Sequence, residues 1–172
     1  MPEEFVLEEL TEISPHDLES LSRLLVDVVA DGAAVGFLPP ITPDEAATYW
    51  QSVLAPDAIL WVARWQGEIV GSIQLHLATK ANGTHRAEIA KLMVHPTARR
   101  KGIAQHLMAA AESRARSEAR TLLILDTRAG DPSNTLYRSL GYTEAGQIPH
   151  YARSADGTLH TTVLYYKSFP SD

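Results

Sequence analysis

The 172-residue chain contains no cysteine, and this absence excludes several kinds of chemistry. Without thiols there is no disulfide framework and no zinc site built on cysteine ligands. No acyl group can be carried on the protein as a thioester, so a covalent acyl-cysteine route is closed. A chain of this length can bury about 70% of its unfolded surface, so it needs no staple to hold a core.

Other features that the sequence lacks exclude further classes of protein. No apolar run approaches about 18 residues, so no transmembrane helix is expected. The acidic start, MPEEFVLEEL, lacks the basic-then-apolar layout of a signal peptide, which predicts a cytoplasmic protein. Basic residues number 15 against 21 acidic ones, and the net charge of −6 argues against a nucleic-acid binder. With no repeat or Gly/Ser linker, we expect one domain over residues 1–172.

Hydrophobic periodicity predicts alternating helices and strands. The predicted elements are helices at 15–30 and 42–54, two strands within 58–78 joined by a turn at Gln66 and Gly67, a strand at 86–94, a helix at 102–117, a strand at 121–127, a short helix at 131–141 and a strand at 161–169. Helical and strand segments in this order, after an antiparallel pair, indicate an α/β fold with a mixed sheet.

Positive charge is concentrated at one joint, in KLMVHPTARRKGIAQHL (residues 91–107). Arg99, Arg100 and Lys101 stand between a predicted strand and a predicted helix. Backbone amides at a helix N-terminus are unpaired and lie at the positive end of the dipole, so such a joint suits an anion. Gly102 has no Cβ, which allows a bulky anion such as a pyrophosphate to approach the backbone.

The spacing at this joint matches neither of two familiar nucleotide motifs. There is no G-x-x-x-x-G-K-[ST] and no G-x-G-x-x-G after a strand. The pattern is instead Arg99-x-x-Gly102-x-Ala104, preceded by Leu92-x-Val94-x-Pro96. Taken alone, this pattern is equally compatible with a solvated basic turn that starts a helix.

With its flanks, the segment resembles motif A of the GNAT N-acetyltransferases, whose Q/R-x-x-G-x-G/A loop surrounds the pyrophosphate of acetyl-CoA. NTLYRSLGY (residues 134–142) resembles the second mark of that family, a helical tyrosine followed by a glycine–aromatic pair. The resemblance covers about residues 58–168. It implies a mixed, centrally splayed β-sheet flanked by α-helices, with acetyl-CoA as co-substrate and with residues 15–54 capping the substrate side.

Three longer segments resemble the tabtoxin-resistance acetyltransferases. They are DVVADGAAVGFLPPITPDEAATYWQSVL, RAEIAKLMVHPTARRKGIAQHLM and PHYARSADGTLHTTVLYYK. Those enzymes acetylate a small amino-acid-like antibiotic. The resemblance therefore implies a small-molecule amine as partner, a role in antibiotic or toxin resistance, and a monomer or homodimer.

The family's chemistry is direct attack of an amine on the acetyl thioester in a ternary complex. Glu88 and Asp126 are the candidate bases, since a carboxylate at either place often serves, directly or through water. Glu88 lies on the strand that leads to the phosphate joint, and Asp126 ends the apolar strand LLILD. Alternatives stay open: Glu88 as a cross-strand ion pair with Arg86 or Lys91, Asp126 as a helix or turn cap, or both holding the substrate ammonium.

Tyr137 is the candidate general acid, because a phenol can donate or share a proton with the leaving thiolate. A purely structural tyrosine is the alternative. Backbone amides of residues 92–94 are expected to pair with the pantetheine arm and to face the developing oxyanion. The predicted cofactor contacts are Leu92, Met93, Val94, Arg99, Arg100, Lys101, Gly102, Ile103, Ala104, Asn134 and Tyr137.

One position departs from the family pattern. Many members carry an asparagine seven residues before the helical tyrosine, where this chain has Gly130. Asn134, Asp131 or Ser133 are the candidate substitutes.

Specificity is expected from residues 31–42 and 147–162. Phe37, His150, Tyr151 and His160 are available there, with ordinary loop residues as the alternative. No histidine spacing indicates a metal site. Two other functions stay open at this point: a protein or peptide N-terminal acetyltransferase, and a non-catalytic acyl-CoA-binding regulatory module. An open groove around residues 31–42 would favour the peptide substrate.

Overall fold

A computed structural model describes residues 4–170. The strands are β1 (Val6–Leu10), β2 (Ala58–Trp65), β3 (Glu68–Leu77), β4 (Arg86–Val94), β5 (Leu122–Arg128), β6 (Thr143–Arg153) and β7 (Leu159–Ser168). The helices are α1 (Pro15–Ala30), α2 (Pro43–Gln51), α3 (Ile103–Ser117) and α4 (Ser133–Ser139), with a 3₁₀ turn at Pro96–Ala98. The strands form one sheet in the order β1-β2-β3-β4-β5-β7-β6. Only β4 and β5 pair in parallel, which confirms the predicted mixed α/β fold.

The sheet opens at its centre. β4 pairs with β5 through only three residue pairs, the last of which joins Glu88 to Ile124. Beyond that point β4 continues along β3 to Val94, while β5 continues along β7 to Arg128. The two strands therefore part after Glu88, and this is the splay that the resemblance implied.

Two cores form on opposite faces of the sheet. On one face α3 packs through Ile103, Leu107 and Ala111 against alternate residues of the central strands, such as Ile73 and Leu123. On the other face α1 and α2 cover β2, β3 and part of β4. No helix covers β5, β7 and β6 on that second face among residues 4–170. Its large apolar side chains, Ile124, Ile148, Leu164 and Tyr166, stay partly exposed.

Capping residues in the sequence determine where the two N-terminal helices begin. Ser14 caps α1 by accepting from the Asp17 amide at 3.1 Å, and Thr42 caps α2 by accepting from the Glu45 amide at 3.1 Å. Pro43 takes the first helical position, where its fixed φ suits the helix and its missing N–H costs nothing. The predicted helix to residue 54 ends earlier, at Gln51. None of the helices within residues 4–170 is long and apolar enough to cross a membrane.

Two strands carry no clear periodic signal in the sequence. β1 is short and mostly exposed at the sheet edge, so only Leu10 of its residues is buried. β6 is the opposite edge; none of its residues is buried, and its pairing with β7 breaks twice. The alternative that His150, Tyr151 and His160 are ordinary loop residues is therefore wrong. His150 and Tyr151 lie in β6 and His160 lies in β7.

The Arg64 guanidinium ties α1 to the sheet. It donates to both carboxylate oxygens of Asp17 at 2.8 Å and to Glu8 at 2.7 Å. These hydrogen bonds from Arg64 hold the pKa of Asp17 below its usual value. Asp17 is 8% exposed, so a lost partner is replaced only poorly by water.

We predict that Asp17→Asn lowers the free energy of unfolding by about 2–3 kcal/mol at pH 7. Because the folded-state pKa is depressed, the contribution is present above the unfolded value of about 3.9 and is lost as the pH falls through the folded-state value. Urea unfolding at several pH values measures it, and the difference from wild type should shrink in acid. Glu19→Gln, at an exposed pair with Arg23, is the control and should cost below about 1 kcal/mol. A difference that stays constant down to pH 2 contradicts the assignment.

Candidate active site

The entrance of α3 is an uncapped helix N-terminus. Gly102, the N-cap residue, has φ +80° and supplies no side-chain hydrogen bond to the first amides. Arg100 also has positive φ, +65°, so left-handed residues flank Lys101. Alternating left-handed residues turn successive N–H groups to one side and form a concave anion site. The main chain thus provides the anion-binding geometry that the sequence predicted.

The three basic side chains at this joint have different surroundings. Arg99 donates to Asp31 at 2.8 Å, across to the loop that follows α1. The Lys101 ammonium lies over the Trp65 ring, 4.5 Å from its centroid. Within residues 4–170 the exposed Arg100 side chain makes no hydrogen bond or ion pair. Arg100 is therefore the cation least committed to the protein. Phosphate contacts by all three residues stay a prediction.

The edge of β4 beside the gap has no strand partner on the β5 side after Glu88. A bulge lies in the same segment: Met93 pairs with Ser72 and Ala90 with Gln74, so Lys91 and Leu92 stand opposite one residue of β3. Lys91 takes φ +55° there. The Met93 side chain is buried, as expected of a core residue. The backbone of residues 92–94 therefore lies along the gap.

Glu88 and Asp126 stand on one face of the sheet, at the two sides of the gap. Glu88 pairs with Ile124, and Asp126 is two residues further along β5, so their side chains share a face. Ala87 and Leu125 point to the opposite face and are buried on the α3 side. Both predicted carboxylates therefore lie on the face of the sheet on which α1 and α2 pack.

Each carboxylate has its own surroundings. Among the described residues Glu88 forms no ion pair within 4.0 Å, so the alternative of a pair with Arg86 or Lys91 is not seen. Asp126 accepts a hydrogen bond from Thr162 Oγ1 at 2.8 Å across the sheet and caps no helix or turn. Both side chains are exposed and can reach a ligand.

Tyr137 belongs to a cluster of three tyrosines. Its ring centroid lies 6.0 Å from that of Tyr142 and 5.9 Å from that of Tyr165. The Tyr142 and Tyr165 hydroxyls donate to Glu112 and Asn134. The Tyr137 hydroxyl has no hydrogen-bond partner among residues 4–170. Burial, with the negative charge of Asp126 adding to it, raises the pKa of Tyr137 to about 12. The phenol therefore stays protonated at neutral pH and is free to donate.

The substitutes considered for the missing asparagine are all engaged within the protein. Asn134 donates to the carbonyls of Arg128 and Asp131 at 2.9 Å, and its oxygen accepts from Tyr165 at 2.8 Å. Asp131 pairs with Arg128, and Ser133 bonds Thr127. Asn134 is thus a structural bridge, and its contact with a cofactor stays a prediction that these bonds disfavour.

The sequence profile of the "Acetyltransferase (GNAT) family" matches residues 36–142, more than half of the chain. A protein of Azospirillum brasilense, described as an uncharacterized N-acetyltransferase in the hisH-hisA intergenic region, is 34% identical over 125 residues. The match covers 71% of this chain and 74% of that protein. The chain belongs to the GNAT acetyltransferase family. It is therefore an acyltransferase.

Solved structures share the fold of this GNAT acetyltransferase at low identity. A ribosomal-protein-alanine N-acetyltransferase from Brucella melitensis superposes with a TM-score of 0.80 at 21% identity, over 95% of this chain and 99% of that one. The protein yncA of Salmonella typhimurium, solved with acetyl-CoA, has a TM-score of 0.80 at 15% identity, over 98% and 96% of the two chains. Both likenesses concern the fold alone.

Sequence analysis of this GNAT acetyltransferase missed a polar chain on the same face of the sheet as Glu88. His76, directly opposite Glu88 on β3, has Nε2 at 2.8 Å from Gln74 Oε1. Gln74 in turn donates to the Tyr49 hydroxyl oxygen at 2.9 Å. The sequence did contain a signal for this chain, since Gln74 and His76 stand at alternate positions of the otherwise apolar strand β3. No three His, Asp or Glu side chains of residues 4–170 converge as metal ligands would.

The loop of residues 31–42 lies against the same site. Val35 and Ile41 are buried, and the Phe37 ring packs edge-on against Tyr49 at 5.1 Å. Lys91 Nζ donates to the Val35 carbonyl at 2.6 Å, and Arg128 donates to the Gly32 carbonyl at 3.0 Å. These contacts hold the loop on the face on which α1 and α2 pack, and a role of Phe37 in specificity stays a prediction.

We predict that Asn134→Ala lowers the free energy of unfolding by about 2–4 kcal/mol, because the buried Tyr165 hydroxyl and two carbonyls lose their partner. Denaturant unfolding measures the change. Asn82→Ala, at an exposed asparagine, is the control and should stay within about 0.5 kcal/mol of wild type. Equal stability of the two variants would show that the bridge contributes nothing.

Proposed function

We propose that the protein transfers the acetyl group of acetyl-CoA to the amine of a small amino-acid-like acceptor, by direct attack in a ternary complex. The observation that carries this proposal is the pair Glu88 and Asp126. They stand across the splay, on the face walled by the 31–42 loop. The Tyr137 hydroxyl, which has no hydrogen-bond partner within the described part of the chain, lies close enough to Asp126 for its charge to raise the pKa of the phenol. We propose that the domain acts in the cytoplasm.

The main chain fits the co-substrate. The uncapped amides of residues 102–104, with Arg100 beside them, suit the pyrophosphate. The β4 edge at residues 92–94, unpaired on the side of the gap, suits the amides of the pantetheine arm. A protein of the same fold, from Salmonella typhimurium, was solved with acetyl-CoA, which supports acetyl-CoA as the co-substrate. Bound acetyl-CoA supplies the activated acetyl thioester.

The acceptor amine must lose a proton before it attacks. For an amine with a pKa of about 10.4, deprotonation at pH 7 costs on the order of 4–5 kcal/mol. Glu88 and Asp126 hold the ammonium at the gap and take its proton, directly or through water.

Tyr137 acts on the leaving thiolate as a hydrogen-bond donor. The thiol has a pKa of about 8.5, and full proton transfer from a phenol near pKa 12 is uphill by on the order of 5 kcal/mol. The phenol therefore keeps its proton and shares it with the sulfur. This donation stabilises the charge that develops as the thioester breaks.

The held loop favours a small acceptor over a peptide. Three contacts tie the loop region to the site: Arg99 to Asp31, Arg128 to Gly32 and Lys91 to Val35. These contacts hold the loop against the sheet, where a peptide acceptor would need an open groove. This agrees with the tabtoxin-resistance resemblance and with a role in detoxifying an amine antibiotic or toxin.

The test is release of free CoA with a panel of amino acids, amine antibiotics and peptides. We expect turnover with small amines and a drop in kcat of about 10²-fold in Tyr137→Phe, with acetyl-CoA affinity unchanged. Because the pKa of Tyr137 is about 12, wild type should show no loss of rate from its ionisation below about pH 11.

Tyr142→Phe is the control within the same tyrosine cluster. It loses its bond to Glu112, so it should lower stability while kcat stays within about twofold. Turnover of peptides but not of small amines would instead indicate a protein or peptide N-terminal acetyltransferase. Acetyl-CoA binding without turnover of any amine would overturn it.

We predict that Gly102→Val weakens acetyl-CoA binding by roughly tenfold or more. A branched side chain would occupy the space of the pyrophosphate and disfavour the left-handed backbone. Isothermal calorimetry measures the affinity.

Gly67→Val is the matched control, since Gly67 also has φ +81° but lies in the β2–β3 turn. It should lower stability similarly and leave the affinity unchanged. Undiminished binding by Gly102→Val would refute the placement of the pyrophosphate.

A further inference from the structure

Lys91 occupies an unusual position for a lysine. It follows Glu88 and Ala90 on β4, at the bulge, in a left-handed conformation with φ +55°. Its side chain is half-buried and reaches toward the 31–42 loop. The ammonium lies so close to Gly36 that a Cβ there would stand 2.8 Å from Nζ. A flexible side chain that elsewhere extends into water is here held inside the acceptor site.

The Lys91 ammonium makes few polar contacts for a half-buried charged group. It donates one hydrogen bond, to the Val35 carbonyl, and lies 5.8 Å from the Phe37 ring centroid. Within residues 4–170 it forms no ion pair within 4.0 Å. An ammonium has three donors, so two remain for another acceptor.

Burial makes the positive charge of Lys91 costly, and the net effect of its surroundings is a lowered pKa. Desolvation lowers the pKa of Lys91, while the negative charges of Asp126 and Glu88 raise it. These carboxylates are close enough to act through space but do not contact the ammonium. A half-buried cation without a direct anion is unfavourable unless one arrives with a ligand.

The loop does not depend on Lys91 alone. Arg128 holds the Gly32 carbonyl at 3.0 Å, and Arg99 holds Asp31 at 2.8 Å. Val35 and Ile41 are themselves buried in the α1–α2 core. The charge of Lys91 therefore exceeds what anchoring of the loop requires.

On the basis of the proposed N-acetylation, we infer that Lys91 binds the carboxylate of the acceptor, so that the acceptor is an amino acid rather than a simple amine. Glu88 and Asp126 receive the ammonium end, and Lys91 receives the carboxylate end. A carboxylate is a stronger acceptor for an ammonium than the neutral Val35 carbonyl, so it can take up the free donors. The site thus matches both charges of a zwitterion.

The test compares free L-amino acids with their carboxyl methyl esters, in wild type and Lys91→Met. In wild type we expect kcat/KM to favour the acids. Lys91→Met should lower kcat/KM for the acids roughly 10- to 100-fold, mainly through KM, as expected for loss of a charge-assisted hydrogen bond. The esters should change by less than about threefold. Esterification also changes the pKa of the amine. This change affects wild type and Lys91→Met equally, so it cancels when the acid-to-ester ratio of kcat/KM in the variant is divided by that ratio in wild type.

Two further variants make the outcome decisive. Lys91→Arg keeps the charge and should retain most of the preference for acids. Lys80→Met, at an exposed lysine, should change nothing. Acetyl-CoA affinity of Lys91→Met, measured by calorimetry, should equal that of wild type and confirms folding.

Each other outcome has a distinct meaning. An equal loss for acids and esters assigns Lys91 to the loop alone and overturns the inference. Turnover in which wild type shows no preference for acids also overturns it, while the proposed N-acetylation stands. Failure to acetylate acids, esters and every other amine removes the proposed function and this inference with it.

Discussion

The early end of hydrogen bonding between β4 and β5 is the constraint on which the site depends. Parallel pairing stops at Glu88 and Ile124, after three residue pairs. Beyond that point the inner edge of β4 has no strand partner among residues 4–170, and the same segment contains the bulge at Lys91. Continuous pairing would give a closed sheet with no place for a reaction between its strands.

Groups that attract anions and groups that attract cations lie at different places around this opening. Main-chain amides at the start of α3 attract an anion without relying on side chains. Glu88 and Asp126 lie on the face on which α1 and α2 pack, and Lys91 lies near them with its backbone strained into the left-handed region. The tyrosine cluster is buried, and only Tyr137 keeps an uncommitted hydroxyl. A chain with net negative charge thus presents both signs within one small region.

The sequence predicted most elements because their patterns were regular. The helix at 15–30, the strand at 86–94 and the glycine turn at Gly67 all follow from apolar spacing and turn chemistry. β6 could not be found in this way, because an edge strand exposed on both faces has no reason to alternate. For the site, Glu88 and Asp126 were predicted as the candidate bases from their places on β4 and β5, and they lie at the two sides of the gap. The partners of Asn134 and Arg99 could not be, since those contacts join segments far apart in the chain.

The cleft is made by strands that part and not by side chains that line a hollow. Its shape is therefore tolerant of substitution around its rim, because the divergence is set by backbone pairing further back in the sheet. Solved chains with as little as 15% identity superpose on this one with a TM-score of 0.80. In the proposed reaction, such an opening would keep the place of acetyl-CoA fixed, while the side chains around the acceptor amine could change during evolution.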